Sequence, residues 1–143
     1  MAGCNCDYIN KVIYLNNQNQ IIDTVDLSEG TVNASTVHPR EIIEGTVKFN
    51  ATSLIFVHNH TSGNPNPSQT DIIFTRNMVF LGSLLQINVL DHIIIGDVYY
   101  YSFADSGKLQ QYKDNFTNMK IKGIISVADL HEDGFASKNI NHN

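Results

Sequence analysis

The feature that most constrains the fold is a short apolar run in the middle of the chain that ends in histidine. Residues 53–58, Ser-Leu-Ile-Phe-Val-His, are apolar on both faces, which is typical of a central β-strand covered on both sides. A loop follows that carries Gly63, Pro65 and Pro67, residues that end regular structure. Residues 69–87 then show the clearest helical periodicity in the chain. Its apolar stripe consists of Phe74, Met78, Leu81 and Leu85.

Further strands and one more helix are predicted on either side of this strand–loop–helix unit. Alternating and β-branched residues predict strands, and Pro39 suits the first turn of a helix. The predicted elements are a hairpin of residues 11–15 and 20–27 around the polar turn 16–19, a helical segment from His38 through Phe49, and strands 89–95 and 98–103 joined at Gly96-Asp97. The chain therefore predicts an α/β domain.

Length and charge limit the classes of protein to consider. A chain of 143 residues is long enough for one domain with its own core and no disulfides. Acidic side chains outnumber basic ones by 14 to 9, and the sequence has no Lys/Arg cluster, so the charge balance disfavours nucleic acid as a partner. No apolar run approaches the roughly 20 residues of a membrane span, and the N-terminus does not resemble a secretion signal. We expect a cytoplasmic protein.

The only cysteines lie close together at the start of the chain. Cys4 and Cys6 flank a single residue, where they are poorly placed to staple a fold. We interpret them as free thiols. The alternative, that the pair contributes to a metal site, lacks the second cysteine pair that such a site usually has.

Two histidines follow the central strand with a spacing that suits a metal. His58 and His60 are two residues apart, so their side chains point to the same face as Leu54 and Phe56. Histidine pairs near loops are also common on protein surfaces, so this spacing alone is a weak signal.

Asp71 extends the predicted helical stripe toward its N-terminal end. It lies three residues before Phe74 and seven before Met78, which places a carboxylate on the inward face. An inward charge is costly unless it is paired or bound to a metal. Two histidines and one carboxylate, with a fourth position left for water, form the ligand count of a catalytic zinc site.

Ser68 precedes Asp71 by three residues and is predicted to be the N-cap of the long helix. Ser-x-x-Asp resembles a capping box, so helix capping explains this pair when it is taken alone. As the N-cap, its hydroxyl also lies near the predicted metal site. The combination of His58, His60, Ser68 and Asp71 is more specific than either pair.

These residues resemble a known metal motif. His58-Asn59-His60, seven residues, Ser68, two residues and Asp71 are similar to the JAMM motif of JAB/MPN metalloenzymes. The blocks that resemble the RadC-like branch are Gly30-Thr31-Val32-Asn33, His38-Pro39-Arg40-Glu41, His58 to Gly63, Leu90 to Gly96 and Tyr101 to Asp105. The similarity covers residues 11–109 and implies a single MPN-like domain, with a mixed, largely antiparallel sheet flanked by two or three helices.

The resemblance also implies a mechanism and a domain division. In the family, His-x-His and Asp hold Zn²⁺, a glutamate takes a proton from its water, and the serine supports the tetrahedral intermediate. We therefore predict a zinc-dependent metalloprotease or isopeptidase with His58, His60 and Asp71 as ligands and Ser68 as a catalytic residue. Residues 1–109 form the predicted domain. Residues 110–143 form a C-terminal extension without a clear pattern, and its polar last residues are expected to fray.

The sequence departs from the family pattern at two positions. Thr61 stands where the family usually has proline. The glutamate base is expected just before the first strand, where this chain has Tyr8 with Asp7 beside it. Asp7 is one candidate base and Glu41 is the other, although Glu41 in a first helical turn is also explained by the helix dipole.

Asp91 and His92 form a further pair within a matching block. Two interpretations are open for them: a hydrogen bond to a metal ligand, or a satisfied histidine in the core.

Two other functions stay open. A catalytically silent interaction module would bind zinc without turnover. A DNA-repair-associated factor, which the RadC name suggests, would bind DNA in a salt-sensitive way. A peptide or protein substrate fits the predicted chemistry better, but neither its identity nor the oligomeric state follows from the sequence.

Overall fold

The two β-branched runs at the start of the chain form the predicted hairpin. In the computed structural model, which describes residues 9–27 and 38–123, β1 (Ile9–Leu15) pairs antiparallel with β2 (Ile21–Asp26). The side chain of Asn16 accepts hydrogen bonds from the backbone nitrogens of Gln18 and Gln20, both at 2.9 Å. Asparagine favours turns because its side chain bonds the nearby backbone in this way.

The first helix, α1 (Pro39–Phe49), lies in the predicted segment, with His38 as its N-cap. Pro39 occupies the first turn, where its missing N–H costs nothing. Asn50 ends the helix in the left-handed conformation, with φ of 52°. The Tyr14 hydroxyl donates a 3.1 Å hydrogen bond to the carbonyl oxygen of Ile42, and this bond joins α1 to β1.

The apolar run that ends in histidine is the middle strand of the sheet. Strand β3 (Ser53–Asn59) pairs antiparallel with β1 and parallel with β4 (Asn88–Ile95). A short strand, β5 (Tyr100–Ser102), completes a five-stranded mixed sheet of order β2-β1-β3-β4-β5. The connection between the two parallel strands contains α2 (Gln69–Leu85), as parallel pairing requires a crossover.

The two faces of β3 are not equally covered. Leu54, Phe56 and His58 are buried, whereas Ile55 and Val57 are half-buried. The expectation of a doubly covered strand is therefore met fully on one face only. The core on that face consists of Val12, Tyr14, Ile42, Leu54, Phe56, Met78, Val79, Val89, Ile94, Phe103, Leu109 and Tyr112.

Helix α2 is rotated relative to the predicted stripe. Its buried residues are Asp71, Thr75, Met78, Val79 and Gly82, whereas Leu85 is 48% exposed. Asp71 and Met78 are inward as predicted. Apolar residues lie on more than one side of α2 because the helix contacts both β4 and a third helix.

That third helix, α3 (Lys108–Ile121), lies where the sequence shows no clear pattern. Leu109, Tyr112 and Phe116 are buried at spacings of three and four residues, and the Phe80 and Phe116 rings lie 5.7 Å apart. Three apolar positions in a polar segment give a weak helical signal. Residues 124–143, the rest of the predicted C-terminal extension, lie outside the described residues.

Two predicted boundaries shift by a few residues. Gln86 adopts the left-handed conformation and ends α2 at Leu85, two residues earlier than predicted. The Gly96 nitrogen donates to the Tyr99 oxygen at 2.9 Å, so the turn is longer than Gly96-Asp97 and β5 starts later. Among residues 9–27 and 38–123, no helix combines the length and apolarity needed to cross a membrane.

Candidate metal centre

His58 lies at the end of the central strand and is completely buried. Its Nδ1 is 3.0 Å from Asp71 Oδ1. Within the described part of the chain, however, neither ring nitrogen is aligned with a hydrogen-bond partner. A buried imidazole with no hydrogen bond is costly, and a cation near one nitrogen would remove that cost.

His60 approaches the same carboxylate from the loop after β3. Its Nδ1 lies 2.8 Å from the carbonyl oxygen of Asn64 and its Nε2 lies 2.9 Å from Asp71 Oδ2. A carbonyl only accepts, so Nδ1 carries the hydrogen. In the neutral ring Nε2 then presents a lone pair to the carboxylate. Histidine ligands of metals characteristically donate their other N–H to a carbonyl in this way.

Asp71 is the group on which the two histidines converge. It is 3% exposed and forms a complete capping box with Ser68: the Ser68 hydroxyl accepts from the Asp71 nitrogen at 3.1 Å, and Asp71 Oδ2 accepts from the Ser68 nitrogen at 2.9 Å. Burial raises the pKa of Asp71, but the contacts with His58 and Ser68 outweigh burial and hold that pKa well below its usual value. The side chain is therefore a carboxylate.

The donor set fits a divalent cation. His58 Nδ1 and His60 Nε2 lie 3.0 and 2.9 Å from the two oxygens of the Asp71 carboxylate, and each of these close approaches needs a proton or a metal ion between the two atoms. Nitrogen and oxygen donors in this number are typical of zinc. The three predicted ligands are thus brought together, while their role as ligands stays a prediction.

His92 is a fourth side chain of this cluster, and the sequence analysis left its role open. His92 on β4 is fully buried, and His58, Asp71 and His92 each offer a ligand atom within 4.8 Å of the other two. Burial is the main cause that lowers the pKa of His92 to about 3, so the ring is neutral. Of the two interpretations left open, a satisfied core histidine holds for Nδ1, which contacts Thr75 Oγ1, but not for Nε2, which has no described partner.

Asp91, the neighbour of His92, has a structural contact instead of a bond to a metal ligand. Its Oδ2 accepts from the Ser102 hydroxyl at 2.6 Å and its Oδ1 accepts from the Ala104 nitrogen at 3.0 Å. These bonds fasten the segment after β5 to β4.

The register of the pairing between β3 and β4 shifts between Leu54 and Ile55 of β3. This shift puts Val89 and His92 on the same buried face of β4 although they are three residues apart.

The loop that carries His60 is held in place without a proline at Thr61. The His60 nitrogen donates to Ile95 O at 3.0 Å, the Gly63 nitrogen to His60 O at 3.1 Å, and the Asp97 nitrogen to Gly63 O at 3.0 Å. Gly63 has φ of +82°, a conformation that glycine adopts readily. Backbone bonds to the β4–β5 turn therefore position His60.

The remaining predicted residues are not part of this cluster of described side chains. Glu41 is exposed in the first turn of α1, and the described contacts of the site come from β3, α2, β4 and the loop after β3. Asp7, Tyr8, Cys4 and Cys6 lie outside the described residues.

The family of this chain follows from a match of residues 9–108 to a family sequence model. That family is described as the RadC-like JAB domain. The chain belongs to this family. The matched segment contains every described residue of the cluster, from His58 to His92, so the buried His/His/Asp group lies within the RadC-like JAB domain.

Similar proteins occur in several bacteria. The chain is 48% identical over 109 residues to a UPF0758 protein of Pelobacter propionicus, a match that covers 76% of this chain and 47% of that protein. It is 41% identical over 113 residues to a UPF0758 protein of Desulforamulus reducens, with 79% and 43% covered. It is 46% identical over 99 residues to the UPF0758 protein YkfG of Escherichia coli, with 69% and 63% covered. The chain thus spans about half the length of the first two relatives.

Proposed function

We propose that this RadC-like JAB domain is a zinc-dependent hydrolase that cleaves amide or isopeptide bonds in a peptide or protein. The observation that carries the proposal is the convergence of His58 and His60 on the two oxygens of Asp71, at 3.0 and 2.9 Å. All three side chains are buried, and neither ring nitrogen of His58 has a described hydrogen-bond partner. A zinc ion held by these residues would polarise a carbonyl and activate water.

Ser68 is the proposed stabiliser of the developing oxyanion. Its oxygen accepts from the Asp71 nitrogen at 3.1 Å, which leaves the hydroxyl hydrogen to be donated. Ser68 is only half-buried, so a substrate can approach it, and as the N-cap it stands at the positive end of α2. The available hydroxyl hydrogen and the positive end of the helix both favour negative charge on a bound carbonyl oxygen.

Asp7 is the proposed general base, with Glu41 as the other candidate. Asp7 is two positions before Ile9, and Ile9 is the partner of His58 in the pairing of β1 with β3. Glu41 has the side-chain length of the family's base but is exposed in α1. The proximity of Ile9 to His58 along the sheet is the reason to prefer Asp7.

Zinc content and peptidase activity, measured together, test the proposal. We expect about one zinc per chain in the wild type and loss of most zinc in His58→Ala and Asp71→Ala, because each lacks one of the proposed protein ligands. His38→Ala is the matched control, since His38 is exposed and its side chain makes no capping bond. Full zinc retention in both ligand variants would contradict the site.

Amide variants of the two acids separate an active enzyme from a silent module. With zinc content measured in parallel, Asp7→Asn should abolish peptide hydrolysis and retain zinc, while Glu41→Gln should retain both. The reverse pattern would move the base to Glu41. Zinc binding without turnover on peptide and isopeptide substrates would favour the silent module, which the presence of Tyr8 at the family's glutamate position supports.

We also propose that duplex DNA is not the partner. With 14 acidic and 9 basic side chains, few cations are available to neutralise phosphates. Binding of a labelled duplex, titrated over a range of salt, should be weak at physiological ionic strength. Tight, sequence-specific binding would support the repair-associated function instead.

A further inference from the structure

His92 is a buried histidine that the proposed mechanism does not use. It lies on β4, opposite Phe56 in the parallel pairing with β3, on the side of the metal centre that faces the core. Its ring is fully buried and stacks on Phe103 with centroids 5.0 Å apart and planes inclined by 12°. The Phe56 and Phe74 rings form T-shaped pairs with it, each with centroids 6.1 Å apart. Three phenyl rings thus pack around the imidazole.

The hydrogen bonds of Thr75 fix which nitrogen of His92 carries the proton. Thr75 Oγ1 lies 2.7 Å from the carbonyl oxygen of Asp71 and 2.6 Å from His92 Nδ1. The carbonyl can only accept, so the single hydroxyl hydrogen of Thr75 goes to Asp71. His92 Nδ1 must then donate to Thr75. In the neutral ring, Nε2 is left with an exposed lone pair.

That lone pair has no partner in the described structure. His92 Nε2 is buried and makes no hydrogen bond, although an unsatisfied buried acceptor costs about 1–3 kcal/mol. It is also close to the metal centre, because His58, Asp71 and His92 offer ligand atoms within 4.8 Å of one another. The His58 and His92 rings are nearly parallel, at 24°, with centroids 5.9 Å apart.

We propose that His92 is a third histidine ligand of the metal centre, reaching the ion from the core side through Nε2. The proposal rests on the proposed metal site and adds a ligand to it. The ligand atoms of His58, Asp71 and His92 lie within 4.8 Å of one another, so each pair would need to approach by at most about 1.5 Å to reach the roughly 3.3 Å between ligand atoms of a tetrahedral zinc site. Thr75 is a positioning residue, since its hydroxyl links the tautomer of His92 to the backbone of Asp71.

A fourth protein ligand changes what the site does at rest. Zinc with four protein ligands is a closed site, whereas catalytic zinc keeps a position for water or substrate. A zinc ion held by His58, His60, Asp71 and His92 would take all four of its usual ligands from the protein, so a substrate group would have to replace one of them or bind in addition.

X-ray absorption of the Zn²⁺- and Co²⁺-loaded protein tests the proposal directly. The wild-type spectrum should require three imidazoles, and His92→Phe, which keeps an aromatic ring against Phe103, should require two. Affinity, measured by competition with a chromophoric chelator, should fall more than about tenfold in His92→Phe. His38→Gln, which removes an exposed histidine, should change neither result.

Thr75 provides a second measurement that does not remove the histidine. Thr75→Val should weaken Zn²⁺ binding about 10–100-fold, as loss of a supporting hydrogen bond to a metal ligand does, and Thr75→Ser should restore it. A purely structural role for Thr75 would change the free energy of unfolding but not the affinity of the folded protein.

The outcomes separate this proposal from the proposed function. Two imidazoles in both wild type and His92→Phe, with equal affinity, would overturn the role of His92 and leave the site of His58, His60 and Asp71 intact. A wild-type protein that binds neither Zn²⁺ nor Co²⁺ would overturn both. If His92→Phe does not fold, the imidazole count of the wild type decides alone.

Discussion

Buried polar groups beside the two ends of strand β3 differ in whether they are hydrogen-bonded. Beside the first residues of β3, Tyr14 of β1 is 1% exposed and its hydroxyl donates to the Ile42 carbonyl at 3.1 Å. Burial and the charge of Glu44 raise the pKa of Tyr14 to about 12, so this donor is retained at any ordinary pH. At the other end, His58 is 0% exposed and neither of its ring nitrogens has a described hydrogen bond.

The difference separates a buried group whose hydrogen bond stabilises the fold from buried groups that a bound cation could satisfy. An unsatisfied buried polar group costs about 1–3 kcal/mol, and this cost is avoided at the Tyr14 end. At the His58 end it recurs in His92, whose Nε2 is also without a described partner. Buried polar groups normally have hydrogen-bond partners. Two neighbouring imidazoles with unpartnered nitrogens therefore indicate a cation site more strongly than one imidazole would.

The largest expected effect on stability comes from a core leucine at the Tyr14 end of β3. Leu54 is 1% exposed in the core, so Leu54→Ala should lower the free energy of unfolding by about 2–5 kcal/mol. Urea unfolding measures this loss. Zinc content per folded chain should equal that of the wild type, since Leu54 lies far along the strand from His58. Loss of zinc from folded Leu54→Ala protein would show that the two ends are coupled.

The alternation of buried side chains along β3 and the helical spacing in α2 allow the inward positions of His58 and Asp71 to be predicted from the sequence. Buried Leu54, Phe56 and His58 follow from a period of two. Asp71 follows from its spacing to Met78. These local periodicities place the three predicted ligands on facing surfaces. The structure brings His58 Nδ1 and His60 Nε2 to 3.0 and 2.9 Å from the two oxygens of the Asp71 carboxylate.

His92 and Thr75 were harder to predict, for different reasons. The position of His92 depends on parallel pairing with β3 and on a register shift in that pairing, and neither is encoded in a local period. Thr75 had a usable signal, since it lies four residues after Asp71 and therefore on the same helical face. It was missed because the predicted stripe counted apolar residues only.

An intermediate effect is expected from pH at the metal-centre end. The pKa of His92 is lowered from 6.5 to about 3, mainly by burial, so between these values the unfolded chain binds a proton that the folded chain does not. The stability that this difference contributes is fully present above pH 6.5 and is lost as the pH falls toward 3. The slope from this group is at most about 1.4 kcal/mol per pH unit.

His92→Phe isolates this contribution because it keeps the ring and removes the titrating nitrogen. Unfolding free energies of the metal-free protein, measured in chelator at several pH values between 4 and 7, should fall less steeply in the variant than in the wild type. Parallel curves would mean that other groups of the site, and not His92, set the acid sensitivity of this end.

The smallest expected effect is the loss of one hydrogen bond at the satisfied end. Tyr14→Phe removes the hydroxyl that donates to Ile42 O but keeps the ring, which lies 5.0 Å from the ring of Phe49. A net loss of about 0.5–1.5 kcal/mol in the free energy of unfolding is expected. The Ile42 carbonyl lies in helix α1, where it has a helical partner as well, and this keeps the loss small. Zinc content should not change. A variant as stable as the wild type would show that the hydroxyl makes no net contribution, and the contrast between the two ends would then rest on the histidines alone.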